Sequence, residues 1–101
     1  MTLRILRLAE ADLLDGFVFY EGQGSGLGWY FLESLNSDIE SLRLYAGIHR
    51  KIFGHHRMLS NRFPFAIYYD LHKDEIRVWR VLDCRRDPSW TRLQVTRGRK
   101  L

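Results

Sequence analysis

The spacing of the apolar residues changes once along the chain, and this change restricts the fold more than any other feature. Between Leu13 and Leu42 apolar side chains recur at three or four positions, the period of an amphipathic helix. From Phe63 onward they alternate with other residues, the period of a strand with one buried face. The sequence therefore predicts helices first and most of a sheet afterwards, packed as an α+β domain in two layers.

Two helices are predicted in the first half of the chain. The first runs to about Glu21, with Leu13, Leu14, Phe17 and Val18 on one face. The glycine-rich segment GQGSGLG ends it, and Ser25 is the predicted N-cap of the second helix. The apolar face of that second helix is marked by Phe31, Leu32, Leu35, Ile39 and Leu42. Because the turn between them is short, the two helices are expected to form a hairpin.

Four strands are predicted around this hairpin. The first spans Thr2 to Leu8, and the others are HHRMLS (55–60), RFPFAIYYDL (62–71) and EIRVWRVL (75–82). Strict alternation in the last strand puts Ile76, Val78, Arg80 and Leu82 on one side and Arg77, Trp79 and Val81 on the other. Since neither side is wholly apolar, one sheet face is expected to pack on the helices while the other stays partly open. The predicted order is β-α-α-β-β-β in a mainly antiparallel sheet.

A short C-terminal helix is predicted after the last strand. Asp87 accepts amide hydrogen bonds at a helix start, and Pro88 suits the first helical position. Trp90 and Leu93 then share a face. Residues from about 94 to 101 are basic and interrupted by a glycine, so a flexible tail is expected there.

The length and composition favour one domain over residues 1–101. A chain of 101 residues that is 46% hydrophobic has the usual size of a single compact domain. Its one cysteine, Cys84, cannot form an internal disulfide, and no apolar run approaches the length needed to span a membrane. The N-terminus does not have the pattern of a signal peptide. A reducing cytoplasm is the expected location.

The net charge of +4 conceals an uneven distribution. Residues 1–42 carry two bases and seven acids, 2 − 7 = −5, whereas residues 43–101 carry fourteen bases and five acids, 14 − 5 = +9. A basic region of this kind attracts phosphate or an acidic protein partner, and a solvated surface with segregated charge is the commoner interpretation.

The glycines and histidines give no cofactor or metal site. Gly22, Gly24, Gly26 and Gly28 follow a helix rather than a strand and lack the Gly-Lys-Ser/Thr ending of a phosphate loop, so they indicate an interhelical turn. The four histidines are not spaced as zinc ligands. Neighbouring His55 and His56 are expected on opposite faces of a strand, with His56 as the candidate for a polar site.

Arginines interleaved with aromatic residues are the strongest functional signal. They lie on or beside three successive strands, at Arg57, Arg62, Arg77, Arg80, Arg85 and Arg86, among Tyr68, Tyr69, Trp79 and Trp90. This pattern suits nucleic acid, because cations contact phosphates while rings stack on bases. It also suits a protein partner whose carboxylates pair with arginines. A third interpretation is structural, in which the arginines pair with Asp70, Asp83 or Asp87.

Two motifs, RFPFAIYY and VLDCRRDPSW, resemble the RelE/ParE superfamily of type II toxin-antitoxin toxins, often called plasmid stabilisation proteins. The family shows an Arg-Phe-Pro-Tyr-like strand entry and a His-x-Arg-Arg-Asp-Pro-like signature at the end of its last strand. The resemblance covers most of the chain and implies a helical hairpin packed on a sheet. Phe65 replaces the usual tyrosine, and Asp83 stands where the family often has histidine.

The superfamily contains RelE-like ribosome-dependent mRNA endonucleases and ParE-like poisons of DNA gyrase. The sheet lysines of the nuclease branch fall near His56 and Met58, and its catalytic arginines fall near Phe65 and Cys84. Its tyrosine falls near Trp90, whose indole cannot replace an acidic hydroxyl. The resemblance therefore favours a ParE-like toxin, which is not an enzyme of RNA cleavage and needs neither cofactor nor metal.

The resemblance also implies a cognate antitoxin, whose C-terminal segment wraps the hairpin and sheet in a toxin-antitoxin hetero-oligomer; a homodimer is the other assembly considered. The predicted target- or antitoxin-binding residues are Arg57, Arg62, Arg85, Arg86 and Trp90. Two alternatives stay open. One is an mRNA interferase that acts on the ribosome through His56, Arg57 and Arg85. The other is a degenerate toxin that only binds antitoxin.

Overall fold

The computed structural model describes residues 1–97. Its elements are β1 (Thr2–Ile5), α1 (Arg7–Gln23), α2 (Leu27–Glu40), α3 (Leu42–Tyr45), β2 (Lys51–Ile52), β3 (His55–Leu59), β4 (Phe65–His72), β5 (Glu75–Asp83) and α4 (Pro88–Arg97). The predicted order of strand, helical hairpin, three strands and terminal helix is confirmed. The sequence prediction missed α3 and β2, which connect the hairpin to β3.

The sheet has five strands in the order β1-β5-β4-β3-β2. Strand β1 pairs in parallel with β5, and the other neighbours are antiparallel. The predicted α+β class and mainly antiparallel sheet are therefore confirmed. Strand β1 is shorter than predicted because α1 already begins at Arg7.

The turn between α1 and α2 is held by a carboxylate. Gly26 is the N-cap of α2 and has a left-handed backbone with φ 88°, a conformation that favours glycine. The prediction of Ser25 as N-cap is wrong. Instead the Glu21 carboxylate accepts the Gly26 N–H at 3.1 Å and the Gly28 N–H at 2.9 Å. The glycine-rich segment thus binds an anion, but this anion is a side chain of α1.

A β-bulge lies between β4 and β5, where the pairing shifts between Tyr68 and Tyr69. An extra residue reverses the alternation of side chains beyond it. Val81 therefore packs with Ile76 and Val78 under the hairpin, while Leu82 lies in the cluster on the opposite face. The prediction of strict alternation along β5 is wrong for this reason.

Helix α4 covers part of the sheet face opposite the hairpin. The Asp87 carboxylate accepts the Ser89 N–H at 2.8 Å, which confirms the predicted helix start. Val95 is fully buried, and the Trp79 indole N–H donates to its carbonyl oxygen at 2.8 Å. Residues 94–97 of the predicted flexible tail form the last turn of this helix. The rest of that predicted tail, residues 98–101, lies outside the described residues.

A buried ion pair joins α1, β5 and α4. Arg80 donates to both Asp12 carboxylate oxygens, through Nε at 2.7 Å and Nη2 at 2.9 Å. Asp12 also accepts the Val81 N–H at 2.9 Å, on the part of β5 that extends beyond its pairing with β1. Arg80 Nη1 donates to the Gln94 carbonyl of α4 at 3.1 Å. The Asp12 carboxylate therefore accepts hydrogen bonds both from a backbone N–H at the edge of β5 and from a buried cation.

Candidate functional site

Arg85 lies in the loop after β5 and is bound to the end of that strand. Its Nε and Nη2 donate to the two Asp83 carboxylate oxygens at 2.9 and 2.7 Å, and Nη2 lies 3.3 Å from the Tyr20 hydroxyl. The guanidinium holds the pKa of Asp83 below its usual value, and the carboxylate raises the pKa of Arg85. Of the predicted arginine–aspartate pairs this one is present, whereas Asp70 binds His55 instead.

Arg86 and Trp90 form the second feature of this end of the sheet. The Arg86 guanidinium carbon lies 3.8 Å from the centroid of the Trp90 ring, a cation–π contact. Both line an open cleft of about 410 Å³ between α1, the end of β5 and α4, which also includes the exposed residues Asp15 and Phe19. We call it the α1–α4 cleft. It combines a cation, a carboxylate and two aromatic rings on accessible surface.

Arg57 lies on the sheet face opposite the hairpin. It lines a smaller cavity of about 150 Å³ with Tyr68, Cys84 and Arg86. Burial raises the pKa of Tyr68, and the Arg57 guanidinium opposes this rise. Burial also raises the pKa of the Cys84 thiol, so little of the nucleophilic thiolate is present near neutral pH.

Arg62 lies apart from these groups, on the hairpin side, with its guanidinium carbon 5.9 Å from the centroid of the Tyr30 ring in α2. Arg85 also reaches the hairpin, through Tyr20. The structure therefore places Arg57 and Arg86 around one cavity and Arg86 in contact with Trp90. These cations do not share one sheet face, because they surround the end of the sheet on both sides.

The nuclease alternative required His56, Arg57 and Arg85 in one site. His55 and His56 do point to opposite faces of β3, as predicted, and His56 is on the hairpin side with its ring stacked on Tyr69. Its Nδ1–H donates to the His49 carbonyl oxygen at 2.6 Å. Arg57 is on the opposite face and Arg85 is bound to Asp83. These three side chains do not converge.

The sequence analysis missed an apolar groove on the outer face of the hairpin. Leu14 and Val18, predicted on the apolar face of the first helix, are 61% and 62% exposed, and Trp29 is 60% exposed. Leu14 and Trp29 line a groove of about 360 Å³ with Ile5, Leu13, Phe17 and Leu32, which we call the hairpin groove. The sequence feature that indicates this groove is the apolar stripe on the first helix, which is wider than a single sheet can cover.

Residues 1–97 contain neither a candidate metal site nor a candidate membrane-spanning helix. Within these residues no three His, Cys, Asp or Glu side chains are placed to hold a metal ion. None of the helices in the same range has both the length and the apolarity to cross a membrane.

Comparison with known proteins supports the fold. No protein-family model matches the sequence, and no curated protein does either. Among solved structures, a chain of the "Chromosomal ParDE TA system from P. aeruginosa" is similar, with a TM-score of 0.74 and 23% identity. The likeness covers 80% of this chain and 92% of that one. The two chains share a fold, so the resemblance to the RelE/ParE architecture is confirmed.

Proposed function

We propose that this chain is the toxin component of a type II toxin-antitoxin system, that it inhibits growth by a ParE-like action on DNA gyrase, and that a cognate antitoxin neutralises it. The observation that carries the proposal is the likeness of fold to a chain of a ParDE system over most of both chains. The motifs RFPFAIYY and VLDCRRDPSW, read independently, support the same superfamily. Gyrase acts in the cytoplasm, where this proposal places the protein.

The geometry favours the gyrase poison over the mRNA endonuclease. RNA cleavage requires a group that moves a proton beside a group that stabilises the phosphate in the transition state. The candidate base His56 and the candidate cation Arg57 lie on opposite faces of the sheet. Cys84 has a raised pKa and Trp90 has only an N–H to donate, so neither replaces the missing base.

The hairpin groove is the proposed docking surface for the antitoxin. Leu14 and Trp29 in its walls are 61% and 60% exposed, whereas Phe31 and Leu35 of the same hairpin are fully buried. An amphipathic segment that inserts apolar side chains into such a groove removes them from water. The α1–α4 cleft, with Arg86 and Trp90, is the proposed contact for gyrase.

The proposal is tested by expressing the chain alone and assaying the purified protein. Growth arrest that co-expression of the adjacent small reading frame relieves supports a toxin, and normal growth with soluble protein favours the degenerate alternative. In vitro, stabilised gyrase–DNA cleavage complexes support the ParE-like action. Cleavage of mRNA in the ribosomal A site, with gyrase unaffected, contradicts it and supports the RelE-like alternative.

The docking surface is tested separately with Leu14→Asp. A carboxylate in the hairpin groove should weaken the antitoxin complex strongly, because burying an unpaired charge is unfavourable. Leu93→Asp, at a similarly exposed leucine of α4, is the matched control and should keep the complex. Both affinities are measured by titration calorimetry. Equal weakening by both variants contradicts the assignment.

A further inference from the structure

A second exposed apolar surface lies at the end of the sheet far from Arg85 and Arg86. It consists of Leu44 and Tyr45 in α3, Ile48 in the following turn and Leu71 at the end of β4, and we call it the apolar tip. Leu44 is 81% and Ile48 74% exposed, more than any other large apolar side chain among residues 1–97. Clustered apolar side chains on a monomer surface commonly mark an interaction site.

The turn that carries the apolar tip is firmly held. The Gly47 N–H donates to the Tyr69 hydroxyl at 2.9 Å, and this hydroxyl lies 2.5 Å from His49 Nδ1. The carbonyl of His49 accepts a further bond from His56. Tyr69 is fully buried, so the turn is anchored on the core. An apolar surface on a pre-ordered turn loses little conformational entropy when a partner binds.

Bases outnumber acids around the apolar tip. Residues 43–51 contain three bases and no acid, and no acid occurs anywhere between Arg43 and Tyr69. Arg43 pairs with Glu40 at 3.0 Å, but Arg50 and Lys51 form no ion pair within the described part of the chain. Lys73 adds an exposed base beside Leu71, with Asp74 next to it. Free cations beside exposed apolar groups are complementary to a partner that is both acidic and apolar.

We propose that the apolar tip docks an acidic amphipathic segment of a partner protein. The apolar side of that segment covers Leu44, Tyr45 and Ile48, and its carboxylates pair with Arg50 and Lys51. A symmetric dimer through this surface is disfavoured, because a two-fold contact brings each cation toward the equivalent cation of the second chain. The surface is distinct from the hairpin groove and from the α1–α4 cleft. Phe65 and Leu71 lie at opposite ends of β4, about 20 Å apart at 3.3 Å per residue.

The inference does not depend on the proposed toxin function, and its test uses purified full-length chain. The probe is a fluorescein-labelled helical peptide with leucine on one face and glutamate on the other, followed by fluorescence anisotropy. Arg50→Glu/Lys51→Glu and Leu44→Ser/Ile48→Ser should each weaken binding by about tenfold or more, as expected for central contacts. All four side chains are at the surface, so the thermal midpoint should not change.

Matched controls are Arg92→Glu and Leu93→Ser, an exposed base and an exposed leucine of α4. These variants should bind the peptide like the parent chain, and a peptide with lysine in place of glutamate should not bind. Absence of binding to the parent chain overturns the proposal, as does equal weakening by the controls. Sedimentation that shows a dimer abolished by Leu44→Ser/Ile48→Ser assigns the tip to a second copy instead. Binding only to phosphatidylserine vesicles assigns it to a lipid surface, and either result overturns the proposal.

Discussion

Gly16 determines how closely the two long helices can approach. It is buried in α1, and a methyl group at this position would overlap the fully buried ring of Phe31 in α2. Gly16→Ala should lower the free energy of unfolding by about 1–3 kcal/mol in urea denaturation, since overpacking outweighs the gain in helix propensity. Gly22→Ala is the control, because nothing lies within 4 Å of a methyl group at that position of the same helix. It should stabilise by about 0.5–1 kcal/mol; destabilisation by both would contradict the packing argument.

Arg85 and Arg86 are expected to matter for binding more than for stability. Both are exposed, one paired with Asp83 and the other stacked on Trp90, and such surface contacts each contribute about 1 kcal/mol or less. The double change Arg85→Ala/Arg86→Ala should leave the thermal midpoint nearly unchanged while reducing toxicity in growth assays. Arg92→Ala, on the exposed part of α4, should alter neither. A large loss of stability in the double variant would indicate that these arginines are structural.

The secondary-structure elements could be predicted where a single period determines them. The hairpin, the three main strands and the start of α4 follow from apolar spacing and from Asp87 with Pro88. The bulge at Tyr68 and Tyr69 could not be read from the pattern. Strict alternation along β5 and alternation interrupted by one extra residue both place apolar residues on each face of the strand. Leu14 and Val18 lie on the predicted apolar face of the first helix and are nevertheless exposed, since periodicity defines a helix face but not how much of it a sheet covers.

The candidate site was predicted only in part, and contacts between distant segments explain the difference. Arg85 with Asp83 and Arg86 with Trp90 are close in sequence, and the motif that contains them was predicted as a candidate site. Arg57 and Arg62 belong to the same predicted set, but the sheet and α2 place them on different sides of the molecule. Glu21 was missed as the partner of the glycine turn, because its role depends on the path of the chain back to α2.

The ion pair of Asp12 with Arg80 should be the strongest polar contact between elements. Both side chains are only 10% exposed, so Asp12→Ala leaves a buried guanidinium without its carboxylate partner and the Val81 N–H without its acceptor. Removing one partner of a buried pair costs about 3–5 kcal/mol of unfolding free energy. Urea denaturation followed by tryptophan fluorescence measures this loss and, through Trp79, reports on α4. Glu40→Ala removes an exposed partner of Arg43 and should cost about 0.5 kcal/mol or less; a similar cost for both would contradict the assignment.

At the scale of the whole molecule, the charge asymmetry of the sequence becomes an asymmetry between layers. The acidic residues 1–42 form β1 and the helical hairpin, whereas the described part of the basic remainder, residues 43–97, forms the other four strands, α4 and most of α3. A partner that approaches the sheet end therefore meets a positive field, and one that approaches the hairpin meets a negative field. This separation lets two partners of opposite charge bind different faces of one small chain.

Histidine protonation should make the stability of the whole chain depend on pH. Burial, together with neighbouring His56, lowers the pKa of His49 below its ordinary value of 6.5. Nδ1 of neutral His49 accepts a hydrogen bond from the Tyr69 hydroxyl. Burial raises the pKa of Tyr69, so the phenol remains a donor. The folded chain binds fewer protons at this site than the unfolded chain does. The contribution of His49 is therefore complete above pH 6.5 and is lost as the pH falls through 6.5 to the lowered folded-state value.

Thermal midpoints from about pH 8 to pH 5 measure this dependence. His49→Asn keeps an acceptor for the Tyr69 hydroxyl but does not titrate, so its midpoint should fall less steeply with acidification. His72→Asn, at an exposed histidine of β4, should retain the slope of the parent chain. Because His49 also anchors the turn of the apolar tip, acidification should loosen that surface before the core unfolds. An unchanged slope in His49→Asn would assign the pH dependence to other groups.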